Sequence, residues 1–429
     1  MDMKINKMLA AVGVSSMLLG TALVGCSSDS SGGGAENEDG KTVVELAGWG
    51  SSPEEEKLLK ETIASFEEKH PDIEVKHEVI ADQYMDVTKT RLVGGEAADV
   101  FYLDALEAPS LIDTGVLEPL DEYVTEDFDV EDFEEPLLNA FKVDGTQYGF
   151  PKDFSTLSLF YNETAFEEAG LEGPPETWEE LGEYAEKLTV DEDGDGQPER
   201  FGLGLSKELA RQFYKFQPYG GQVVDENGKA AFASEEAIAS LKPVIEMYQE
   251  DQSAGLPSDV GTDWGGDMFG QGKAAMVIEG NWTIPFLEDN FSDLNFTTAE
   301  LPTINGEKAT AAFTVAYVMN KQSEVKEASW ELISYLTGKE GMETWTSKGF
   351  ALPTRKSVAE ELGYDEDPLR QSFVEGASYA QPWQAGKNLP TIMTNFDNQF
   401  ISALLGEQTL EEALQKAQDT ANKEIESSN

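Results

Sequence analysis

Aromatic, acidic and amide side chains follow several apolar, strand-like segments of this chain. Trp49 follows VVELAG, Asp104 ends DVFYLD, and Asn281 and Trp282 follow AAMVIEG. Aromatic rings can stack on the apolar C–H faces of a sugar, while carboxylates and amides can hydrogen bond to its hydroxyls. The candidate ligand contacts of this kind are Trp49, Asp104, Asp153, Tyr219, Asn281, Trp282 and Trp383. Together they would suit a binding site for a neutral, polyhydroxylated ligand.

Each candidate also has a structural alternative, because tryptophan is common in protein cores and aspartate is common in helix caps and solvated loops. Three further tryptophans lie within or beside helical patterns, which predicts packing for Trp178, Trp330 and Trp345. Trp264 lies in the loop-like segment GTDWGGDMF, where packing and ligand contact are equally open.

An acidic loop raises a separate metal hypothesis. Asp191, Asp193 and Asp195 alternate and are followed by Gly196, as in the first half of an EF-hand loop. The twelfth position of such a loop would be Gly202, where an EF-hand needs a bidentate glutamate, so a complete EF-hand is absent from the sequence. The choice lies between a structural calcium site and a turn stabilised by its aspartates. No other cofactor is expected.

Catalytic patterns are scarce in this sequence. Its only histidines, His70 and His77, lie in one short connection, and no G-x-S-x-G, H-E-x-x-H or phosphate-loop pattern occurs. A glycoside hydrolase that uses paired carboxylates remains the alternative, since so many acids guarantee some close pairs. An adhesive surface protein is disfavoured by the lack of internal repeats.

Short apolar strands alternate with amphipathic helices, a pattern typical of an α/β fold. The predicted strands are 43–49, 73–80, 99–104, 201–206, 274–280 and 316–320. Because open α/β sheets bind ligands beyond the carboxyl ends of their strands, side chains such as Trp49 and Asp104 fall where a ligand would be held.

Helix signals stand between these strands. Ser52 can cap a first helix with Pro53 at its first position, and His70-Pro71 predicts its end. Capping boxes begin at Thr177 and Thr409, each with a glutamate three residues later. A helix over 326–337 is predicted to stop at Gly338, acting as the left-handed glycine beyond its end.

The N-terminus has the architecture of an export signal. Lys4 and Lys7 precede an apolar run, and Leu23-Val24-Gly25 precede Cys26, the single cysteine. The stretch resembles a bacterial lipoprotein signal, which implies cleavage after residue 25 and lipidation of Cys26. An ordinary signal peptide with an incidental cysteine is the alternative. Residues 26–40 are rich in serine and glycine and predict a flexible tether.

The charge of the chain is extreme, with 83 acidic against 30 basic residues and a net charge of −53. Nucleic acid is excluded as a partner, because its phosphates would be repelled. The acids are spread along the whole chain, which indicates a surface adapted to a saline medium or a merely acidic secreted protein. The length suggests two domains.

The order of several segments resembles the extracellular solute-binding proteins of family 1, the maltose-binding-protein type that serves ABC sugar importers. The segments are VVELAGWGSSPEEEKLLKETIASFEEKHPDIEVK, GGEAADVFYLDA, TGVLEPLDEY, YGFPKDFSTLSLFYNETAFEEAGLEGPPETWEEL, YGGQVVDENGKAAF, GKAAMVIEGNWTIP and ALPTRKSV. They span nearly all of the chain that follows the signal.

The resemblance implies an α/β, two-lobed periplasmic-binding-protein fold of type II, each lobe a sheet with flanking helices and the ligand cleft at the hinge. Lobe 1 would comprise 41–151 and 302–352, and lobe 2 would comprise 152–301 and 353–429. The chain would cross between lobes near Phe150-Pro151, Leu301-Pro302 and Leu352-Pro353.

The resemblance also implies roles. Trp282 and Trp383 would stack on sugar, and Asp104 and Asp153 would accept hydrogen bonds from hydroxyls. The protein would be a monomer, lipid-anchored on the outer face of the cell membrane, that captures a sugar or oligosaccharide by closure and passes it to an ABC permease. A non-sugar solute is the alternative ligand.

Overall fold

A ten-stranded mixed sheet forms the centre of the computed structural model, which describes residues 37, 40–49, 53–81, 83–191, 194 and 197–428. A separate two-stranded hairpin pairs β4 with β5. The strands are β1 (Thr42–Gly48), β2 (Ile73–Val79), β3 (Val100–Asp104), β4 (Lys142–Val143), β5 (Thr146–Gln147), β6 (Gly149–Asn162), β7 (Phe201–Gly204), β8 (Ala254–Gly255), β9 (Ala274–Gly280), β10 (Phe296–Ala299), β11 (Ala311–Met319) and β12 (Gln381–Pro382).

Helices cover the sheet. They are α1 (Pro53–Lys69), α2 (Tyr84–Gly94), α3 (Ala108–Thr114), α4 (Glu135–Asn139), α5 (Glu163–Ala169), α6 (Trp178–Leu188), α7 (Glu235–Gln249), α8 (Gly265–Gly270), α9 (Thr283–Asn290), α10 (Lys326–Leu336), α11 (Lys339–Thr346), α12 (Lys356–Leu362), α13 (Gln371–Gly376), α14 (Leu389–Leu404) and α15 (Leu410–Ser428). Short 3₁₀ turns connect several of them.

The strand order is β2-β1-β3-β11-β6-β9-β7-β8, with β10 beside β6 and β12 beside β11. The parallel pairs include β1 with β2 and β3, and β7 with β8 and β9. Strand β6 is the longest at 14 residues, and it is antiparallel to each of its neighbours. Its first half pairs with β11, and its second half pairs with β9 and β10. One strand therefore joins the two halves of the sheet.

The buried apolar side chains form three groups. The first core draws on segments within 44–150 and 316–358. The second core draws on 157–311 and 383–425. A third, smaller group includes Phe154, Phe160, Val277 and Phe373. The larger cores therefore fill opposite ends of the sheet, and β6 runs between them.

All six predicted strands are confirmed to within a few residues, although β11 begins earlier than predicted, at Ala311. Strand β6 has no counterpart in the predictions. Its first twelve residues are buried, so it lacks the alternation of a half-exposed strand, and it contains Pro151, a residue type that is rare inside central strands.

The helix signals are largely confirmed. Helix α1 has Pro53 at its first position and ends at Lys69. Thr409 Oγ1 accepts from Glu412 N, and the Glu412 carboxylate accepts from Thr409 N, both at 3.2 Å, which completes the capping box of α15. At α6, Thr177 accepts from Glu180 N, but the Glu180 carboxylate bonds to Glu176 N instead of Thr177 N.

The helix predicted over 326–337 is confirmed as α10, which ends at Leu336, but the prediction that Gly338 is left-handed is wrong. Its φ of −74° and ψ of 168° are extended, and it caps the start of α11. Helix α11 begins immediately after α10, so the chain has no room for a left-handed turn between them. A Cβ at this position would lie 2.7 Å from Ser334 O, which explains why glycine fits.

Several predictions fall outside the described residues: the signal over 1–25, Cys26, almost all of the tether over 26–40, the Ser52 cap, Asp193 and Asp195. Asp191 is described, and its Oδ1 accepts from Gly194 N at 2.8 Å. Across the described part of the chain, none of the helices combines the length and apolarity needed to cross a membrane.

Candidate ligand-binding site

A cavity of about 230 Å³ lies at the ends of β1, β3 and β9. Trp49 directly follows β1, Asp104 ends β3, and Asn281-Trp282 directly follow β9. The lining residues are Trp49, Glu55, Glu56, Leu59, His77, Val79, Tyr102, Asp104, Lys152, Asp153, Phe154, Ser155, Asn281, Trp282, Phe313, Thr314, Val315, Trp345, Phe350 and Ala351. Carboxyl ends of strands therefore supply the predicted kinds of side chain to one cavity.

The structure brings five of the seven predicted ligand contacts together: Trp49, Asp104, Asp153, Asn281 and Trp282. Trp383 and Tyr219 do not line this cavity. Trp383 is buried in the second core, with its ring centroid 4.8 Å from that of Phe213, and Tyr219 packs against the same core. The loop pattern around Trp383 gave no sign of this burial.

Aromatic contacts fix Trp49 in place. Its ring meets Tyr84 and Tyr102 edge to face, at centroid distances of 5.1 and 5.2 Å. The Tyr84 hydroxyl is within hydrogen-bond distance of Ala47 O and Tyr102 O, which ties the ring cluster to β1 and β3. Gly48 is required beside it, because a Cβ there would lie 2.6 Å from the Tyr102 ring. The indole is thus held by its neighbours before any ligand arrives.

A β-bulge in β6 turns two consecutive side chains toward the cavity. Val315 pairs with Asp153 and Ala316 pairs with Pro151, so Lys152 is the extra residue of the bulge. In a regular strand Lys152 and Asp153 would point to opposite faces. Here both line the cavity, and the Lys152 ammonium pairs with Asp153 Oδ2.

Trp345 completes this group. Its Nε1 donates to Asp153 Oδ2 at 2.8 Å. The Lys152 ammonium lies 4.0 Å from the centroid of the Trp345 ring and 4.8 Å from that of Tyr102. The prediction that Trp345 only packs is therefore incomplete, because it is buried but also belongs to the cavity wall.

Asp104 is the second carboxylate at this end of the cavity. Its Oδ1 accepts from Leu106 N at 2.8 Å. Burial raises the pKa of Asp104 to about 6, and the charges of Glu107 and Asp153 act in the same direction. The hydrogen bond from Leu106 opposes this rise. Asp104 can therefore act as an acceptor near neutral pH and as a donor in mildly acidic solution.

Asn281 and Trp282 form the opposite wall. Asn281 N donates to Ser155 Oγ at 2.9 Å, and Asn281 Nδ2 donates to Gly349 O at 3.1 Å. The Trp282 ring meets Phe313 edge to face at 5.9 Å. Gly280 is needed next to this ring, since a Cβ there would lie 2.3 Å from it. The wall thus presents a tryptophan beside an asparagine whose orientation is fixed.

Arg211 contacts the aromatic rings of that wall but does not line the cavity. Its guanidinium carbon is 5.3 Å from the Trp282 centroid and 4.9 Å from the Phe313 centroid. Its Nη2 is 3.4 Å from a carboxylate oxygen of Glu279, which is buried. Burial raises the pKa of Glu279, and the charge of Arg211 opposes that rise.

Sequence reasoning did not assign ligand contacts to Lys152, Ser155, His77 or Trp345. Lys152 directly precedes the predicted contact Asp153 and Ser155 follows it by two positions, but the β-bulge that brings Lys152 to the cavity is not visible in the sequence. His77 lines the cavity from β2. Among the described residues, no three His, Cys, Asp or Glu side chains cluster as metal ligands.

A family model for bacterial extracellular solute-binding proteins matches residues 49–343. The galactooligosaccharide-binding protein of Bacillus subtilis is 24% identical over 398 residues, which cover 89% of this chain and 89% of that protein.

Two solved structures share the fold. The ABC substrate-binding protein Lmo0181 from Listeria monocytogenes, in complex with cycloalternan, aligns with a TM-score of 0.79 at 25% identity over 90% of this chain and 99% of that one. An ABC transporter solute-binding protein from Thermotoga lettingae, bound with α-D-tagatose, aligns with a TM-score of 0.75 at 26% identity, over 89% of this chain and 99% of that one. The fold is thus the two-lobed, type II periplasmic-binding fold, and because the family model matches more than half of the chain, the chain belongs to the bacterial extracellular solute-binding proteins.

Proposed function

We propose that this protein is the substrate-binding component of an ABC importer and that it captures a sugar or oligosaccharide for a membrane permease. The supporting observation is a cavity in which two tryptophans, Trp49 and Trp282, stand among Asp104, Asp153 and Asn281 at the ends of strands. The galactooligosaccharide-, cycloalternan- and tagatose-binding proteins described above favour the same class of ligand.

Each side chain has a defined task in this function. Trp49 and Trp282 stack on sugar rings, while Asp104, Asp153 and Asn281 hydrogen bond to hydroxyls. Trp383 and Tyr219 are outside the cavity wall and receive no ligand contact.

Replacing Trp282 with alanine is expected to weaken sugar binding by about 10- to 100-fold, because stacking and buried apolar area are both lost. Isothermal titration against maltotriose, galactotriose, mannotriose and arabinotriose measures this, with the sugars analysed afterwards for cleavage. Tyr219→Ala is the matched control and should bind as the wild type does. Recovered intact sugar supports a binding protein; cleaved sugar would make the protein a lipid-anchored carbohydrate-active enzyme instead.

Closure over the ligand is the mechanism we propose. Residues 41–151 with 302–352 and residues 152–301 with 353–429 would move as two lobes, since only the closed form lets both walls contact one sugar. The separate first and second cores support this division, although Ile304, Ala309 and Ala311 pack in the second core. Small-angle scattering should show contraction when a tightly bound sugar is added; an unchanged radius of gyration at saturation would contradict closure.

Anchoring through Cys26 would keep the protein beside its permease, because acyl chains bury CH₂ groups in the membrane at about 0.8 kcal/mol each. The protein is proposed to act there as a monomer. Cys26→Ser should release it from the membrane fraction into the medium, and retention in the membrane would count against the anchor.

The acidic surface is proposed to suit saline conditions. At a net charge of −53, self-repulsion should be screened by salt. We expect the melting temperature to rise by roughly 5 °C or more between 0.05 and 2 M NaCl. Sucrose at matched osmolality is the control, because it is uncharged but is also excluded from the protein surface and so stabilises the folded state. Equal responses to sucrose and NaCl would show that charge screening is not the cause.

A further inference from the structure

We propose that the cavity selects its ligand by charge: it accepts uncharged sugars and rejects sugars that carry a carboxylate. This inference rests on the proposed function and narrows its ligand class. The cavity wall presents four carboxylates, from Glu55, Glu56, Asp104 and Asp153, and its single lysine or arginine among the described lining residues is Lys152.

The Lys152 ammonium already has an ion-pair partner within the protein. The Lys152 side chain is 5% exposed and pairs with Asp153, whose side chain is 12% exposed. The rings of Trp345 and Tyr102 flank the ammonium, and Trp345 Nε1 holds the same Asp153 oxygen. Drawing Lys152 toward a ligand carboxylate would leave Asp153 buried without its counterion, which is costly.

The start of α1 offers no anion site either. Helix N-termini favour anions because their first N–H groups lack partners within the helix. Here Glu55 and Glu56 lie in the first turn of α1 and also line the cavity. Their carboxylates already offset the positive end of the helix, so a ligand carboxylate would meet like charge there.

Other basic groups near the cavity are paired or uncharged. Lys60 lies outside the lining and pairs with Glu56 at 2.5 Å, which offsets the charge of that glutamate. Burial lowers the pKa of His77, which keeps its imidazole neutral near pH 7.

Arg211 does not line the cavity; its guanidinium lies against the rings of Trp282 and Phe313, and its Nη2 is 3.4 Å from the buried Glu279. The charge of Arg211 is therefore paired with Glu279, although its Nε is buried without a hydrogen-bond partner.

A ligand carboxylate would thus face Asp104 and Glu55, and the described lining residues offer no lysine or arginine that is free of a carboxylate partner. At separations of about 6 Å and an effective dielectric constant of about 20, one such repulsion weakens binding by roughly 100-fold, and salt reduces this toward 10-fold. A hydroxyl at the same place would instead find acceptors.

The test compares three forms of one trisaccharide: the neutral sugar that binds among those titrated above, the same sugar with its terminal primary hydroxyl oxidised to a carboxylate, and the methyl ester of that acid. The ester is larger than the acid but uncharged, so it separates charge from steric fit. Titrations at pH 7 use wild type and Asp104→Asn in 0.1 and 1 M NaCl.

We expect the acid to bind at least 10-fold more weakly than the ester, with a smaller ratio in 1 M NaCl and in Asp104→Asn. Equal binding of acid and ester, or loss of both to the same extent, overturns selection by charge while the proposed function stands. If no neutral sugar binds at all, the proposed function itself fails.

Discussion

Replacing Arg355 with methionine is expected to lower the free energy of unfolding by about 3–5 kcal/mol, because buried charged hydrogen-bond networks are costly to break. The Arg355 side chain is 1% exposed. Its guanidinium donates to Thr337 O at 2.6 Å, Phe128 O at 2.8 Å and Asp129 O at 2.9 Å. Methionine would leave all three carbonyls without this donor.

The same guanidinium holds separate elements together. It lies 3.4 Å from an Asp132 carboxylate oxygen, and its carbon is 4.0 Å from the Phe133 ring centroid. Asp132 also accepts from Ser357 N and Ser357 Oγ, which ties the 3₁₀ turns before α4 to the start of α12. Arg355 therefore joins the end of α10, those turns and α12.

Urea unfolding in high salt measures this loss of stability. The urea concentration at the midpoint of unfolding should fall, while the slope of the free energy against urea concentration stays unchanged. Arg355→Lys keeps the positive charge but lacks the planar, forked guanidinium with its several N–H donors. It should therefore be more stable than Arg355→Met but less stable than the wild type. Arg91→Met is the control at a partly exposed site, since it removes a surface pair with Glu78 and should cost no more than about 1 kcal/mol. A loss below that level in Arg355→Met would show that the network does not stabilise the fold.

The sequence was most informative where local chemistry decides the structure. Strand β9 has the predicted bounds, because the apolar run AAMVI is followed by one glutamate and then by glycine. The start of α15 follows from the Thr409 capping box, which needs only residues three apart. Trp49 and Asp104 could be placed together because the parallel strands β1 and β3 end at one edge of the sheet. Trp282 joins them from the other direction, because β9 runs opposite to β3 and ends beside Leu157, near the middle of β6.

The sequence was least informative where distant segments decide the outcome. Nothing in PKDF shows that Lys152 is the extra residue of a bulge, since the bulge exists only in the pairing with β11. Trp345 lies in a helical pattern, and its bond to Asp153 joins residues that are 192 positions apart. Trp383 follows a short strand beside β11, and the second core rather than its loop-like sequence determines its burial.

Replacing Lys215 with methionine is expected to stabilise the protein by about 2–4 kcal/mol at pH 7. Lys215 is 3% exposed, and burial lowers its pKa from an ordinary 10.5 to about 7. No described carboxylate forms an ion pair with it; its ammonium bonds to Gln212 Oε1 and lies 4.4 Å from the Trp178 ring centroid. A pKa lowered this far costs roughly 5 kcal/mol at pH 7. Methionine fills a similar volume but leaves Gln212 Oε1 unpaired, which costs about 1–3 kcal/mol.

The effect has a defined pH window. In the unfolded chain the lysine stays protonated up to about pH 10.5, whereas in the folded protein it is neutral above about pH 7. Between these values the unfolded state binds more protons, so the wild type gains stability as the pH rises. The advantage of Lys215→Met should therefore be full at and below pH 7 and should shrink steadily toward pH 10.

Urea unfolding of the wild type and of Lys215→Met at pH 6, 7, 8.5 and 10 in 1 M NaCl gives the free energy of unfolding of each protein. Subtracting the two values at each pH removes the effect of every titrating group that the proteins share. Lys423→Met removes an exposed lysine from α15, so it controls for the loss of one positive charge from a chain of net charge −53. That control should show a small difference with no trend over the same range. The contrary result is a difference in the free energy of unfolding between Lys215→Met and the wild type that is the same at pH 7 and pH 10. Lys215 would then keep its proton in the folded protein, and contacts with its neighbours would have to offset the cost of burying its charge.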